Sequence, residues 1–228
     1  MPTESSADTH SSSAWPLRLR IWMLLWNFLP LLHVCAVITC AWYFSISLAI
    51  VGLYVFPPLL CRLILLLCPL SGGTYPSGSR EFVSWWATAQ TQMIFCRLPM
   101  LEELLRLVPG LYSMWLRLWG ARIGRLTFWS PGVRILDRSF LRVGNDVVTG
   151  AGVRINAHVI ECIDGETKLH LADIVICDGC NIGGYSLLTA GCRVDEGESL
   201  HAFALLPPFS SWSKGKRGKL AVTRESAH

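Results

Sequence analysis

The sequence predicts an α+β membrane protein in which a helical hairpin that crosses a bilayer is followed by a parallel β-helix of hexapeptide repeats. Three observations carry this. Every sixth residue between positions 176 and 200 is a branched aliphatic: Ile176, Ile182, Leu188, Val194 and Leu200. No Asp, Glu, Lys or Arg occurs from residue 21 to residue 61. Between the two stretches lies a segment rich in Leu, Trp and Arg and broken by Pro99 and Pro109-Gly110, as expected of short amphipathic pieces.

In chain order, residues 1–14 are rich in Ser and Thr and read as a disordered lead-in. Residues 15–70 hold the anchor. A bilayer core takes roughly 20 apolar residues per helix, so the uncharged run has room for two spans, at about 21–39 and 44–61 with a turn near 41–43. Pro30 and Pro57-Pro58 would kink them. Trp15, Trp22, Trp26, Trp42 and Tyr43 fall near the proposed boundaries, and Arg18, Arg20, Arg62, Arg80 and Arg97 flank the two ends. That distribution places the N-terminus and the repeat domain together on the cytoplasmic side of a multi-pass anchor. A cleaved signal peptide has a shorter apolar region than this. His33, inside the first span, reads as a residue facing the partner helix.

Residues 71–119 form a connector: a Gly-, Pro- and Ser-rich loop over 71–79, then amphipathic helices that lie along the membrane or pack on a neighbouring element. The β-helix occupies 120–204. A period of six fits neither a helix nor a simple strand, and short fixed repeats of this kind make solenoids. Small side chains (Cys180, Ser186, Cys192) recur four residues after the first three aliphatics, where a chain rounding a corner needs them. Ile123, Trp129 and Ile135 share an earlier phase, with Trp129 a poor fit; Val143, Thr149 and Ile155 share another. The change of phase requires a bulge near 140–142. The interval from Ile155 to Ile176 is not a multiple of six, so residues 161–168 must leave the prism. An ordinary β-sandwich with chance spacing is the competing fold. Residues 205–228 read as a basic tail.

Nine cysteines invite a disulfide or zinc explanation. Four of them (Cys35, Cys40, Cys61, Cys68) lie in or beside the spans, where cysteine is a small apolar filler. Cys177 and Cys180 have the spacing of a metal or redox pair, but a second pair is missing and Cys180 shares its place in the hexad with Ser186. No metal is expected. The formal net charge of +4 is small and concentrated beside the spans, which argues against nucleic acid as a partner.

Several short motifs occur together: Gly73-Thr74-Tyr75-Pro76, Trp85-Trp86, Leu111-Tyr112, and the run Leu116-Arg117-Leu118-Trp119-Gly120-Ala121-Arg122-Ile123-Gly124. In order and spacing they resemble the membrane-associated hexapeptide-repeat module at the C-terminus of poly-lysine-synthetase-type nonribosomal peptide synthetases, over about residues 62–194. The resemblance implies left-handed β-helix coils and acyl transfer from acetyl-CoA or another acyl-CoA. It also implies a homotrimer with the site between neighbouring prisms, and a biosynthetic synthetase as a possible partner. After Glu198 this chain departs from the family's closing segment and runs Leu200-His201-Ala202-Phe203-Ala204-Leu205-Leu206-Pro207-Pro208.

Acyl transfer from a thioester needs a base for the acceptor's proton and a donor for the tetrahedral oxyanion, but no covalent nucleophile on the protein. Histidine suits the base. His10 and His228 lie in the terminal tails, His33 in a span, and His201 beyond the last clear repeat, which leaves His158 and His170. His158 follows an inward Ile at the edge of the excursion and is the expected base, with Glu161 or Asp164 orienting its ring. A surface histidine making a loop hydrogen bond is the alternative. His170 is the reserve candidate and a possible substrate contact. Asn156 either holds the acceptor or serves a turn. Lys214, Lys216, Arg217 and Lys219 form a basic cluster that could meet acyl-CoA phosphates, lie against anionic headgroups, or remain solvated. The functions consistent with these residues are a membrane-anchored acyltransferase and, as the alternative, a non-catalytic scaffold of a membrane biosynthetic or export complex. Zinc-dependent hydration of carbon dioxide would need a third His ligand beyond His158 and His170.

Overall fold

The computed structural model describes residues 16–163 and 165–220. The expected lead-in, His10, Asp164 and His228 lie outside the described residues. Three apolar helices come first: α1 (Leu17–Asn27), α2 (Leu29–Tyr43) and α3 (Ile46–Leu67). The first two run on as one stretch, Leu17–Tyr43, and both it and α3 are long and apolar enough to cross a membrane. Large side chains such as Leu24, Leu32, Ile38, Trp42 and Leu66 stand exposed along them. Ser45 sets the reversal, its hydroxyl accepting from the Leu48 amide at 3.1 Å as an N-cap. The turn therefore falls at Phe44 and Ser45, slightly later than expected, and α3 continues through Pro57 and Pro58 to Leu67. His33 faces the partner helix, its Nε2 lying 3.1 Å from the carbonyl of Gly52.

A short strand, β1 (Gly73–Pro76), leads to α4 (Arg80–Arg97), α5 (Met100–Arg106) and α6 (Leu111–Leu118). Ser79 caps α4 by accepting from the Phe82 amide. These helices form a layer between the hairpin and the prism. Trp86 Nε1 reaches back to Asn27 (3.0 Å), and Trp115 Nε1 donates to the Tyr54 carbonyl on α3 (2.9 Å). On the other side, Phe82, Trp85, Phe95, Tyr112, Trp115 and Trp119 join one continuous core with the first coils.

The rest of the chain winds as a three-faced parallel β-helix. Its strands are β2 (Arg122–Ile123), β3 (Phe128–Trp129), β4 (Arg134–Leu136), β5 (Leu141–Val143), β6 (Val148–Thr149) and β7 (Arg154–Asn156). After the excursion strands β8 (His158–Ile163) and β9 (Glu166–Leu171) come β10 (Ile174–Ile176), β11 (Asn181–Ile182), β12 (Leu187–Leu188), β13 (Arg193–Val194), β14 (Ser199–Leu200) and β15 (Leu205–Leu206). One face stacks β2, β5, β10 and β13; the second β3, β6, β11 and β14; the third β4, β7, β12 and β15. The hexad aliphatics lie in register: Ile176 over Val143 and under Val194, Leu188 over Ile155 and under Leu206.

Three successive hexads each bury two positions. Ile182, Leu188 and Val194 point inward, and so do Cys180, Ser186 and Cys192 two residues before them, all within 2 % of complete burial. Residues between them face out, the period-two alternation of a strand compressed into a repeat of six. Glycine is needed where coils approach most closely: a Cβ on Gly183 would stand 2.3 Å from the backbone nitrogen of Ala202. Trp129 fits because it belongs to the first coil, where no coil lies beneath; it leans on Tyr112 and donates from Nε1 to Ser113 on α6 at 2.9 Å. Thr149 takes the slot above it.

The prism breaks twice. Between β4 and β5, a single 3-10 turn (Arg138–Phe140) adds two residues to the coil and produces the expected change of phase. Between β7 and β10, the chain leaves as an antiparallel hairpin of β8 and β9, wider than the expected 161–168, and β1 pairs along its outer strand. The far end also differs from the expected boundary at 204. Leu205 and Leu206 complete the fourth coil; β16 (Ser210–Ser213) begins a fifth; and β17 (Lys216–Lys219) folds back antiparallel on it. Residues 205–219 are thus part of the prism and its closing hairpin rather than a separate tail.

Candidate active site

The two breaks in the repeat meet. Asp137, with φ of 56°, precedes the 3-10 turn in the left-handed conformation that Asp tolerates better than most residues. His158 opens β8 as the chain leaves the prism. The Nδ1 edge of His158 hydrogen-bonds the Oδ2 of Asp137, and Trp85 Nε1 on α4 donates to the other carboxylate oxygen at 2.9 Å. The ring of Trp85 packs against the imidazole with centroids 4.7 Å apart. Asp137 is almost fully buried, whereas the His158 side chain keeps about 23 % of its surface open.

Burial on its own would lower the pKa of His158, but the charge of Asp137 and the hydrogen bond to it outweigh that effect and raise it above the ordinary histidine value. Asp137 fixes the tautomer with the proton on Nδ1. Nε2, without a partner among the described residues, is left as the proton acceptor. The arrangement can act as an oriented general base, or as a general acid once protonated.

The expected orienting role of Glu161 is not met. Side chains on a strand alternate between faces, so residues 158 and 161 of β8 point to opposite sides. Glu161 instead lies beside His170, Oε2 to Nε2 at 3.6 Å, on the far face of the hairpin. His170 Nδ1 is held by Thr74 Oγ1 of β1 at 2.8 Å, and its cross-strand partner is Val159, not His158. His158 and His170 therefore do not converge on one point, as a shared zinc ion or substrate atom would require. Asn156 ends β7 rather than sitting in a turn, and it lines a cleft of about 150 Å³ with Arg134, Arg138, Arg154 and Glu102.

The basic cluster lies elsewhere. Lys214, Lys216 and Arg217 belong to the hairpin that closes the far end, where Glu198 accepts from the amides of Lys214 (2.5 Å) and Gly215 (3.0 Å). That hairpin is three coils from β7, roughly 14 Å along the axis at the usual strand spacing, and on another face. Within one chain the cluster therefore stands apart from His158 and does not line the cleft beside Asn156.

Sequence reasoning missed Asp137 and Trp85. The signal for Asp137 is the spacing from Ile135 to Val143, eight positions instead of six, which marks an insertion at that corner. Trp85 gives no such signal, because its partner is 52 residues away.

Next to Asp137, Arg138 is wholly buried. Its Nη1 and backbone N–H donate to Gln92 Oε1 (2.9 and 3.0 Å), its Nη2 pairs with Glu102, and Trp115 and Trp119 flank the guanidinium at 5.4 Å. Tyr112 donates to the same Glu102 at 2.5 Å, and Arg106 also pairs with it, at 3.2 Å. One two-residue step thus joins the dyad to α4, α5 and α6.

No family model matches the sequence, and no curated protein matches it. Among solved structures, the chain is similar to a hexapeptide-repeat acetyltransferase of Vibrio cholerae O1 biovar eltor complexed with acetyl coenzyme A. The two share 15 % identity over 58 % of this chain and 88 % of that one, with a TM-score of 0.37. A second structure of the Vibrio cholerae acetyltransferase matches at 14 % identity over 53 % and 85 %, with a TM-score of 0.34. Likeness of this degree does not extend to what this chain binds.

Proposed function

We propose that the protein is a membrane-anchored acyltransferase that moves an acyl group, acetyl in the simplest case, from acyl-CoA to a hydroxyl or amine of a small molecule, peptide or glycan. The observation that carries this reading is the Asp137–His158 dyad beside Trp85, set where the repeat is interrupted. Nε2 of His158 takes the acceptor's proton as the acceptor oxygen or nitrogen attacks the thioester carbonyl. The tetrahedral oxyanion collapses, the C–S bond breaks, and the imidazolium returns the proton to the departing CoA thiolate. Asp137 stabilises the imidazolium between these steps.

The exposed apolar helices support anchoring in a bilayer, and the flanking arginines support a cytoplasmic prism. A homotrimer is supported by one corner of the prism. Tyr185 and Phe203 both hold φ of 58° and stack at 5.3 Å while remaining 63 % and 76 % exposed. Left-handed conformations cost non-glycine residues roughly 1–2 kcal/mol each, which burial against a neighbouring prism would offset. The alternative, a scaffold without chemistry, makes an opposite forecast in one assay. Membranes carrying the full chain and labelled acetyl-CoA should transfer label, and His158→Ala should reduce transfer by about 10²–10⁴-fold. Equal background in the two samples would leave the scaffold.

A further inference from the structure

Arg134 and Arg154 are cross-strand neighbours on the outer face of β4 and β7, in register and exposed. Neither guanidinium has an ion-pair or hydrogen-bond partner among the described residues. The corresponding pair on the adjacent face is treated differently: Arg122 and Arg142 share Asp173, 3.2 Å from Arg142 Nε, and Arg193 farther along pairs with Asp195 at 2.8 Å. Like charges placed directly opposite each other on a sheet are destabilising unless something neutralises them. The unneutralised pair lines the cleft of about 150 Å³ that also contains Asn156, two residues before His158. Arg138 at its back is fully buried, is balanced by Glu102, and has an Nε without a partner.

We infer that this cleft binds a phosphoryl group of one of the two reactants and holds it beside the His158 base. Two arginines on paired strands about 4.8 Å apart suit a phosphate or pyrophosphate, which each guanidinium can grip with paired N–H donors, and Asn156 can add a neutral donor. The assignment of the anion to a reactant rests on the proposed acyl transfer; the anion site itself does not. The phosphoryl group could come from acyl-CoA or from a phosphorylated acceptor, and the two sources are separable.

The test is calorimetric titration of the full chain in neutral detergent with inorganic pyrophosphate and, separately, with coenzyme A. Pyrophosphate should bind, and Arg134→Gln and Arg154→Gln should each weaken it about tenfold or more, as expected for a lost charge-assisted hydrogen bond. Arg193→Gln, on the other face, should bind as the parent does. Both cleft variants should melt at or above the parent temperature, because each removes a like-charge contact. If coenzyme A loses affinity in parallel, the anion belongs to the acyl donor; if it does not, the anion belongs to the acceptor. No pyrophosphate binding, or equal weakening by Arg193→Gln, overturns the site. A parent that binds pyrophosphate but transfers no acetyl group would overturn the enzymatic reading and leave the site standing. Transfer with unchanged KM for both reactants in Arg154→Gln would do the reverse.

Discussion

Coils three and four and the stretch from β4 to β9 are built from the same repeat and do different things. From Ile176 to Leu206 the hexad runs without interruption, and its inward positions hold Ile, Leu, Val, Cys and Ala204 with Ser186. Even that hydroxyl is absorbed, accepting from the Ala204 amide at 3.2 Å and donating to the His201 carbonyl at 3.1 Å. Earlier in the prism the rhythm fails twice. Each failure carries a polar side chain out of the wall, Asp137 at the first and His158 at the second, and they meet. The regular wall is closed by buried packing, and the departures from it bring a polar pair together.

That contrast can be pressed at several points. The strongest is the charge buried behind the first departure. Glu102→Ala leaves Arg138 without its counter-ion and should destabilise the fold by about 3–5 kcal/mol, read as a lowered thermal midpoint. A midpoint near that of the parent would mean that the helical layer does not hold the insertion in place. In the regular wall, Leu188→Ala removes a fully buried side chain and should cost about 2–5 kcal/mol while acyl transfer per folded molecule stays the same. Loss of specific activity there would blur the division between wall and site.

Asp137→Asn tests the dyad through pH. The raised pKa of His158 means that its stabilising contribution is complete below the unfolded value of about 6.5 and is lost as pH rises through the folded value. The proposed acyl transfer needs the neutral ring, so its rate should climb over that same upper range. In Asp137→Asn the rate limb should move to lower pH, the maximal rate should fall by less than in His158→Ala, and the stability gained below the folded value should shrink. An unmoved limb would separate Asp137 from the base. The smallest effect is expected for Glu161→Gln, within experimental scatter for transfer, because its carboxylate faces His170 on the other side of the hairpin.

Much of the prism was legible because burial imposes a period on it. The aliphatics from Ile176 to Leu200 announced the coils, the phase change before Val143 announced an insertion, and the gap before Ile176 announced the hairpin. The candidate base was legible too, as a histidine at a break. Its partner was not. Glu161 is close in sequence but is turned away by the alternation of the strand, whereas Asp137 lies 21 residues back and Trp85 on a separate helix. Long-range polar contacts leave no periodic trace. The closing hairpin escaped notice for a related reason: its lysines and Arg217 on β17 are outward-facing, and outward positions carry no hexad signal.

The step from Asp137 to Arg138 also works as a link. One residue grips the imidazole and the next is clamped among α4, α5 and α6, which themselves lean on the hairpin through Asn27 and Tyr54. The apolar hairpin and the Asp137–His158 pair are thereby joined through a continuous run of packed and hydrogen-bonded side chains.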